Sequence, residues 1–192
     1  PGRYDKTVQD QIQRLYEWAL VIRFQAGDDA AFEGIVAQMH GRLRRYMMNS
    51  FQLQPADVDD LLQETWLDAC RGLRHLRQPA SLRPWLYRVA RNKALKHLRR
   101  HKRMVDLAGV TIQIAAPSQP EPEGPSDMDL GSAVARLSAA HREVVLLRYG
   151  EGLSYEEIAS AVECSIGTVR SRLHHAKSIL KDTIGRYDHD DR

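Results

Sequence analysis

Apolar residues recur along this chain at spacings of three and four, the period of a helix that buries one stripe. In residues 8–25 the stripe is Ile12, Leu15, Trp18, Ala19 and Ile22. A second helical run covers residues 30–51. A third begins near Pro55-Ala56-Asp57, because Pro and Asp both suit a first turn. Its apolar face is Val58, Leu61, Leu62, Trp66 and Ala69, and Gly72 offers a stop. Ser81 suits the cap of a fourth helix, residues 82–103, with Leu82, Leu86, Val89 and Ala90 on one face. Pro84 is tolerable in that first turn. Later come a lead-in helix at 130–137, a helix at 138–149 closed by Gly150, and two helices ending near 162 and 180. No convincing period-two alternation occurs outside residues 110–115, so the pattern predicts an all-α chain.

The helical period fails over residues 105–127. Pro117, Pro120, Pro122, Pro125, Gly109 and Gly124 fall there, which predicts a flexible linker between two small helical domains.

Charge sharpens this division. The net charge of the 192 residues is only +3, but it is sorted. Residues 71–103 hold twelve Lys/Arg and no Asp/Glu, whereas the acidic linker region 104–132 holds five Asp/Glu and no Lys/Arg. A block of uncompensated cations indicates a polyanion-binding surface better than total charge does. Cys70 and Cys164 stand alone, which argues against a disulfide framework or zinc site and fits a reducing cytosol. His97 and His101 have a zinc-like spacing but no third ligand nearby, so no metal or cofactor is expected. The apolar run 18–24 is too short to span a bilayer and contains Arg23, and no signal peptide is evident at the start.

The most specific stretch is 152–180. Ser154 and Glu157 form a capping box at the start of one short helix. Glu163-Cys164-Ser165 makes a tight turn, and Ser165 can cap the next helix. There Ile166, Val169, Leu173, Ala176 and Leu180 make a buried stripe. Ser171, Gly167 and Ser178 point away from it, with His174 and His175 beside them and Arg170 and Arg172 on the shoulders. No acid occurs between Cys164 and Lys181. A small polar crest with basic shoulders suits a major groove, bases meeting the crest and phosphates the shoulders.

Two other stretches carry chemistry. On the third helix Asp57, Asp60, Gln63, Glu64 and Asp68 lie off the apolar face. They are either a solvated acidic side or a docking face for a basic or polar helix of a partner. On the fourth, Arg88, Arg91, Lys96, Arg99 and Arg100 crowd the polar faces with Trp85 and Tyr87 close by. Rings that stack on unpaired bases, interleaved with cations that track phosphates, suit single-stranded nucleic acid. The plainer alternative puts Trp85 in the core.

In order, these stretches resemble bacterial sigma factors of the extracytoplasmic-function class. The resemblance rests on Gly27-Asp28-Asp29-Ala30-Ala31-Phe32, Asp60-Leu61-Leu62-Gln63-Glu64-Thr65-Trp66 and Trp85-Leu86-Tyr87-Arg88-Val89-Ala90-Arg91-Asn92. It continues in Leu137-Ser138-Ala139-Ala140-His141-Arg142-Glu143-Val144-Val145, Gly152-Leu153-Ser154-Tyr155-Glu156-Glu157-Ile158-Ala159 and Gly167-Thr168-Val169-Arg170-Ser171-Arg172. It implies an extension helix (1–24), a sigma-2-like domain (25–103), the linker (104–128), a sigma-4-like domain (129–185) and a tail (186–192). It further implies a cytoplasmic, non-enzymatic initiation factor whose partners are core RNA polymerase, promoter DNA and an anti-sigma protein. The polymerase contacts would be the clamp helices of the largest subunit and the flap of the second-largest. Docking would fall on Asp57, Asp60, Leu61, Gln63, Glu64 and Asp68. The −10 element would meet Arg77, Arg83, Trp85, Arg88, Arg91, Asn92, Lys96 and Arg99, and the loop 74–80 would capture a flipped base. The −35 element would meet Thr168, Arg170, Ser171, Arg172, His174, His175 and Ser178. Lys93 stands where an apolar residue is common in this family, and Lys96 where an acid is common.

Two rival readings are weaker. A stand-alone regulator of the LuxR-like type would need strand alternation or an acidic phospho-acceptor pocket in its N-terminal half, and it leaves 71–103 unexplained. A nucleic-acid enzyme would need chemistry that is missing here, since the chain has no P-loop, HExxH, paired zinc ligands or GxSxG.

Overall fold

The computed structural model describes residues 2–107 and 130–187. The linker past residue 107, the alternation at 110–115 and the end of the tail lie outside these residues. Eight α-helices occur among the described residues: α1 (Gly2–Gln25), α2 (Ala30–Phe51), α3 (Pro55–Leu73), α4 (Leu82–Leu107), α5 (Leu130–Arg136), α6 (Ala139–Val145), α7 (Tyr155–Val162) and α8 (Ile166–Tyr187). A 3-10 turn, Pro79–Ser81, leads into α4, and one π turn, Leu146–Gly150, extends α6. No strand occurs among the described residues.

The first four helices enclose Leu20, Val21, Phe24, Ile35, Met39, Leu43, Met47, Leu62, Leu73 and Leu86, all at most 2% exposed. The last four enclose Val144, Leu147, Leu153, Ile158, Ala161, Val169 and Ala176, all fully buried. The apolar cores of the two units are continuous. The units therefore pack face to face, where the sequence predicts only a tether.

Local physics accounts for most boundaries. Ser154 Oγ accepts from Glu157 N (3.1 Å) and Glu157 Oε2 accepts from Ser154 N (2.7 Å), which completes the capping box of α7. The turn to α8 uses Glu163 in the left-handed region (φ 54). Ser165 Oγ then accepts from Thr168 N at 3.0 Å, capping α8. Ser81, by contrast, ends the 3-10 turn, and its hydroxyl faces Gln78 Oε1.

The α1 stripe is the main departure. Ile12, Leu15 and Ile22 are 57–61% exposed, Ala19 is exposed and Trp18 half-buried. The inward face is Glu17, Leu20, Val21 and Phe24. Both faces are apolar enough to bury, and the buried Glu17–Arg83 pair belongs to the second. On α8 the stripe holds at Val169, Leu173 and Ala176, whereas Ile166, in the first turn, is 37% exposed. Gly72 does not stop α3, which ends one residue later. A Cβ at Gly72 would lie 2.5 Å from Trp85 Cζ2, so the glycine lets the indole approach the backbone.

Candidate polymerase and nucleic-acid interfaces

On α3, Val58, Leu62, Thr65 and Ala69 face inward, and this turns Asp60, Gln63, Glu64 and Asp68 outward. Leu61, expected at the docking face, is 6% exposed and belongs to the core, because it shares the inward side with Leu62 and Val58. Asp57 is half-buried, 3.8 Å from His97 Nε2. Lys93, from α4, reaches Asp68 at 2.7 Å and Glu64 at 3.3 Å. Its ammonium is raised above the ordinary lysine value mainly by the Asp68 hydrogen bond.

On α4 the cations separate into two groups. Arg83 is buried, its Nε and Nη2 2.7 and 2.8 Å from the Glu17 carboxylate. It is therefore not at the surface where DNA is expected to meet it, and freeing it would leave an uncompensated buried charge. Tyr87 is also fully buried, its hydroxyl donating to Glu151 at 2.5 Å. Arg91 is half-buried and donates to Glu143 at 2.9 Å. Trp85 and Arg88 are half-buried, while Asn92, Lys96, Arg99 and Arg77 are exposed.

On α8 the predicted face is open. Arg170, Ser171, His174, His175 and Ser178 are exposed, and Arg172 is half-buried. The buried side, Val169, Leu173 and Ala176, rests on α6 and α7 and holds the face outward. Thr168 is half-buried, its hydroxyl 2.9 Å from Ser165 Oγ, so it serves the cap. The His175 ring lies 5.9 Å from His174 and 6.2 Å from His141, edge to face.

Comparison with known proteins agrees with this arrangement. The Sigma-70 region 2 family model matches residues 35–104, and the Sigma-70, region 4 model matches residues 127–180. The ECF RNA polymerase sigma-E factor of Haemophilus influenzae is 30% identical over 189 residues, which covers 90% of this chain and 97% of that one. This chain belongs to the extracytoplasmic-function sigma factors. The RNA polymerase sigma factor NccH of Alcaligenes xylosoxydans is 32% identical over 172 residues, 84% of this chain and 91% of that one. Sigma factor RpoE of Bartonella quintana, solved with the anti-sigma factor NepR, superposes with a TM-score of 0.65 at 29% identity, covering 80% of this chain and 96% of that one.

Two residues of this sigma factor escape the sequence reading. Leu67 is 61% exposed among Glu64, Gln63 and Asp68, an apolar contact in the middle of the acidic face. Its position off the 58/61/62/66/69 stripe is the signal that could have found it. Arg142 is only 6% exposed. Its Nε and Nη2 donate to Ser50 O at 3.2 and 3.1 Å, and its Nη1 to Ala135 O at 2.7 Å. It thereby satisfies carbonyls that the ends of α2 and α5 leave unpaired. Burial lowers its guanidinium from the ordinary value. Nothing in its local pattern distinguishes it from a surface arginine. No described helix is long and apolar enough to cross a membrane.

Proposed function

We propose that this sigma factor binds core RNA polymerase and directs promoter-specific initiation, with its roles divided among three helices. The acidic face of α3, Asp60, Gln63, Glu64 and Asp68 with Leu67 at its centre, docks on the clamp helices of the largest subunit. Helix α4 handles the −10 element through Trp85, Arg88, Arg91, Asn92, Lys96 and Arg99, with Arg77 beside it in the preceding loop. Helix α8 reads the −35 element: Arg170 and Arg172 hold phosphates while Ser171, His174, His175 and Ser178 meet base edges. The C-terminal unit also meets the flap of the second-largest subunit. The division at about residues 104–128 separates the −10 unit from the −35 unit. The protein acts in the cytoplasm, has no catalytic activity of its own, and is held in check by an anti-sigma protein.

The observation that carries this reading is α8, a capped helix-turn-helix whose acid-free face is held outward by a buried stripe. Run-off transcription with core polymerase and genomic fragments tests it, and discrete start sites that need this protein are the expected result. Glu64→Ala combined with Gln63→Ala should cut holoenzyme assembly while the helix content stays intact. Assembly at the wild-type level would remove these residues from the docking face.

A further inference from the structure

We infer that the outward side of α1 is a coiled-coil seam for a second copy of this chain, the two helices running antiparallel about a two-fold axis. Val8, Ile12, Leu15, Ala19 and Ile22 follow one another at spacings of 4, 3, 4 and 3, the a and d positions of a heptad. At about 100° per residue they form one narrow stripe, opposite the inward Glu17, Leu20, Val21 and Phe24. The stripe is open. Val8, Ile12, Leu15 and Ile22 are 52–61% exposed, Ala19 is exposed, and Tyr16 beside them is 48% exposed. Five of the twelve exposed large apolar side chains among the described residues thus fall within fifteen residues of one helix.

A solvated surface helix carries its charges outward. Here the charges of residues 8–25 are Asp10, Arg14, Glu17 and Arg23, and none lies on the outward stripe. Three are already matched within the chain: Arg14 by Glu157 at 2.6 Å, Glu17 by Arg83 at 2.7 Å and Arg23 by Asp28 at 2.6 Å. Residues 8–12 are exposed all round, so these turns stand clear of the body and leave room for a second helix.

Self-complementarity names the occupant. In an antiparallel pair each a position packs against a d position of the other helix, so Ile12 meets Ile22 and Ala19 meets Leu15 of the second copy. Small then faces large and the layers fill. A parallel pair would set Ala19 on Ala19 and leave a void. The antiparallel register also brings Gln9 to Arg23, Tyr16 to Tyr16 and Gln11 to Gln25 at the flanks, so no like charges meet across the axis. The same patch serves both copies, as a two-fold interface requires. A foreign apolar helix would need none of this internal matching. The covered area, roughly 1,000 Å2 over both copies, is at the small end of specific interfaces and makes the dimer a reversible one.

Sedimentation equilibrium of the full chain tests this, since the stripe can be changed without touching the core. The wild type should form a dimer with a dissociation constant of about 10 μM. Ile12→Glu should weaken it by about a hundredfold at unchanged helix content, because the two-fold axis presents the charge twice, and Ile22→Lys should do the same. Mixing these two variants should restore a dimer, since the two positions face each other in the antiparallel register. Restoration by Ile12→Glu with Ile12→Lys instead would overturn that register. Leu15→Gln, neutral and compatible with a helix, should weaken the dimer by about tenfold, so a folding defect in a charged variant leaves the question decidable. A wild type that stays monomeric at about 100 μM overturns the proposal, and loss of holoenzyme assembly in Ile12→Glu would then give the stripe to the polymerase. A dimer that survives all these substitutions unchanged puts the contact elsewhere and sinks the seam.

Discussion

Helices α4 and α8 are both basic and both suited to nucleic acid, yet α8 leaves its polar face largely open while α4 opens only its far half, Asn92, Lys96 and Arg99. On α8, Arg170 and Arg172 are free of any close ion pair among the described residues, although Arg170 lies near enough to Glu156 to help lower its carboxyl. On α4, Arg83, Arg91 and Lys93 are each held by an acid from another helix: Glu17, Glu143 and Asp68. The difference lies in what each helix packs against. Helix α8 lies at the edge of its unit and buries one narrow stripe. Helix α4 runs between α1, α2, α3 and α7, so most of its circumference meets protein. Counting cations thus measures the field of a segment, whereas burial decides which cations reach a ligand.

The comparison breaks most sharply at Arg83. Arg83→Ala leaves Glu17, 1% exposed, with only Arg42 at 3.9 Å, and about 3 kcal/mol of stability should be lost, read from denaturant unfolding. Replacing both residues by leucine should recover most of it. A loss of only a few tenths would mean that Arg83 is as dispensable to the fold as an α8 arginine.

Arg172→Ala should do the opposite. Unfolding should stay within about 0.5 kcal/mol of wild type. Binding to a promoter duplex should weaken, and the slope of log affinity against log salt should fall by about 0.9. An unchanged slope takes Arg172 off the phosphate contacts.

The smallest effect sharpens the contrast through pH. Burial first, then Glu151, raises the Tyr87 phenol well above its ordinary value, and burial with Glu143 does the same for Tyr46. A raised value means the folded chain holds the proton more tightly than the unfolded one. The contribution is complete below the ordinary tyrosine value of 10.0 and is lost as pH rises from there through the folded value. Alkaline titration of stability should therefore fall off above about pH 10, and less steeply in Tyr87→Phe, which should cost about 1 kcal/mol at neutral pH. Equal slopes in both proteins would contradict the buried phenol.

Much of the molecule is legible in the chain. The bounds of α2 follow from its apolar period, and those of α7 and α8 from Ser154, Glu157 and Ser165, because caps and periods act within one or two turns. The α8 face is legible for the same reason: a helix with one buried stripe has only one way to turn. Helix α1 is not, since Ile12, Leu15 and Ile22 compete with Leu20, Val21 and Phe24, and only neighbours choose between them. The burial of Leu61 and Arg83 is hidden from the sequence for a related reason. Each sits within a motif of the right type, and no local rule reports what lies across from it.

By itself, then, the sequence determined the helical class, the sorted charge, the helix-turn-helix and the family resemblance, all set by residues close together in the chain. The tertiary structure decided which acids neutralise which cations, which stripe of α1 is inward, and that the two units meet. Those outcomes depend on pairs such as Arg83 with Glu17 and Arg91 with Glu143, separated by 66 and 52 residues. Desolvating a charge is favourable only when its partner arrives with it, and that partner is supplied by the fold.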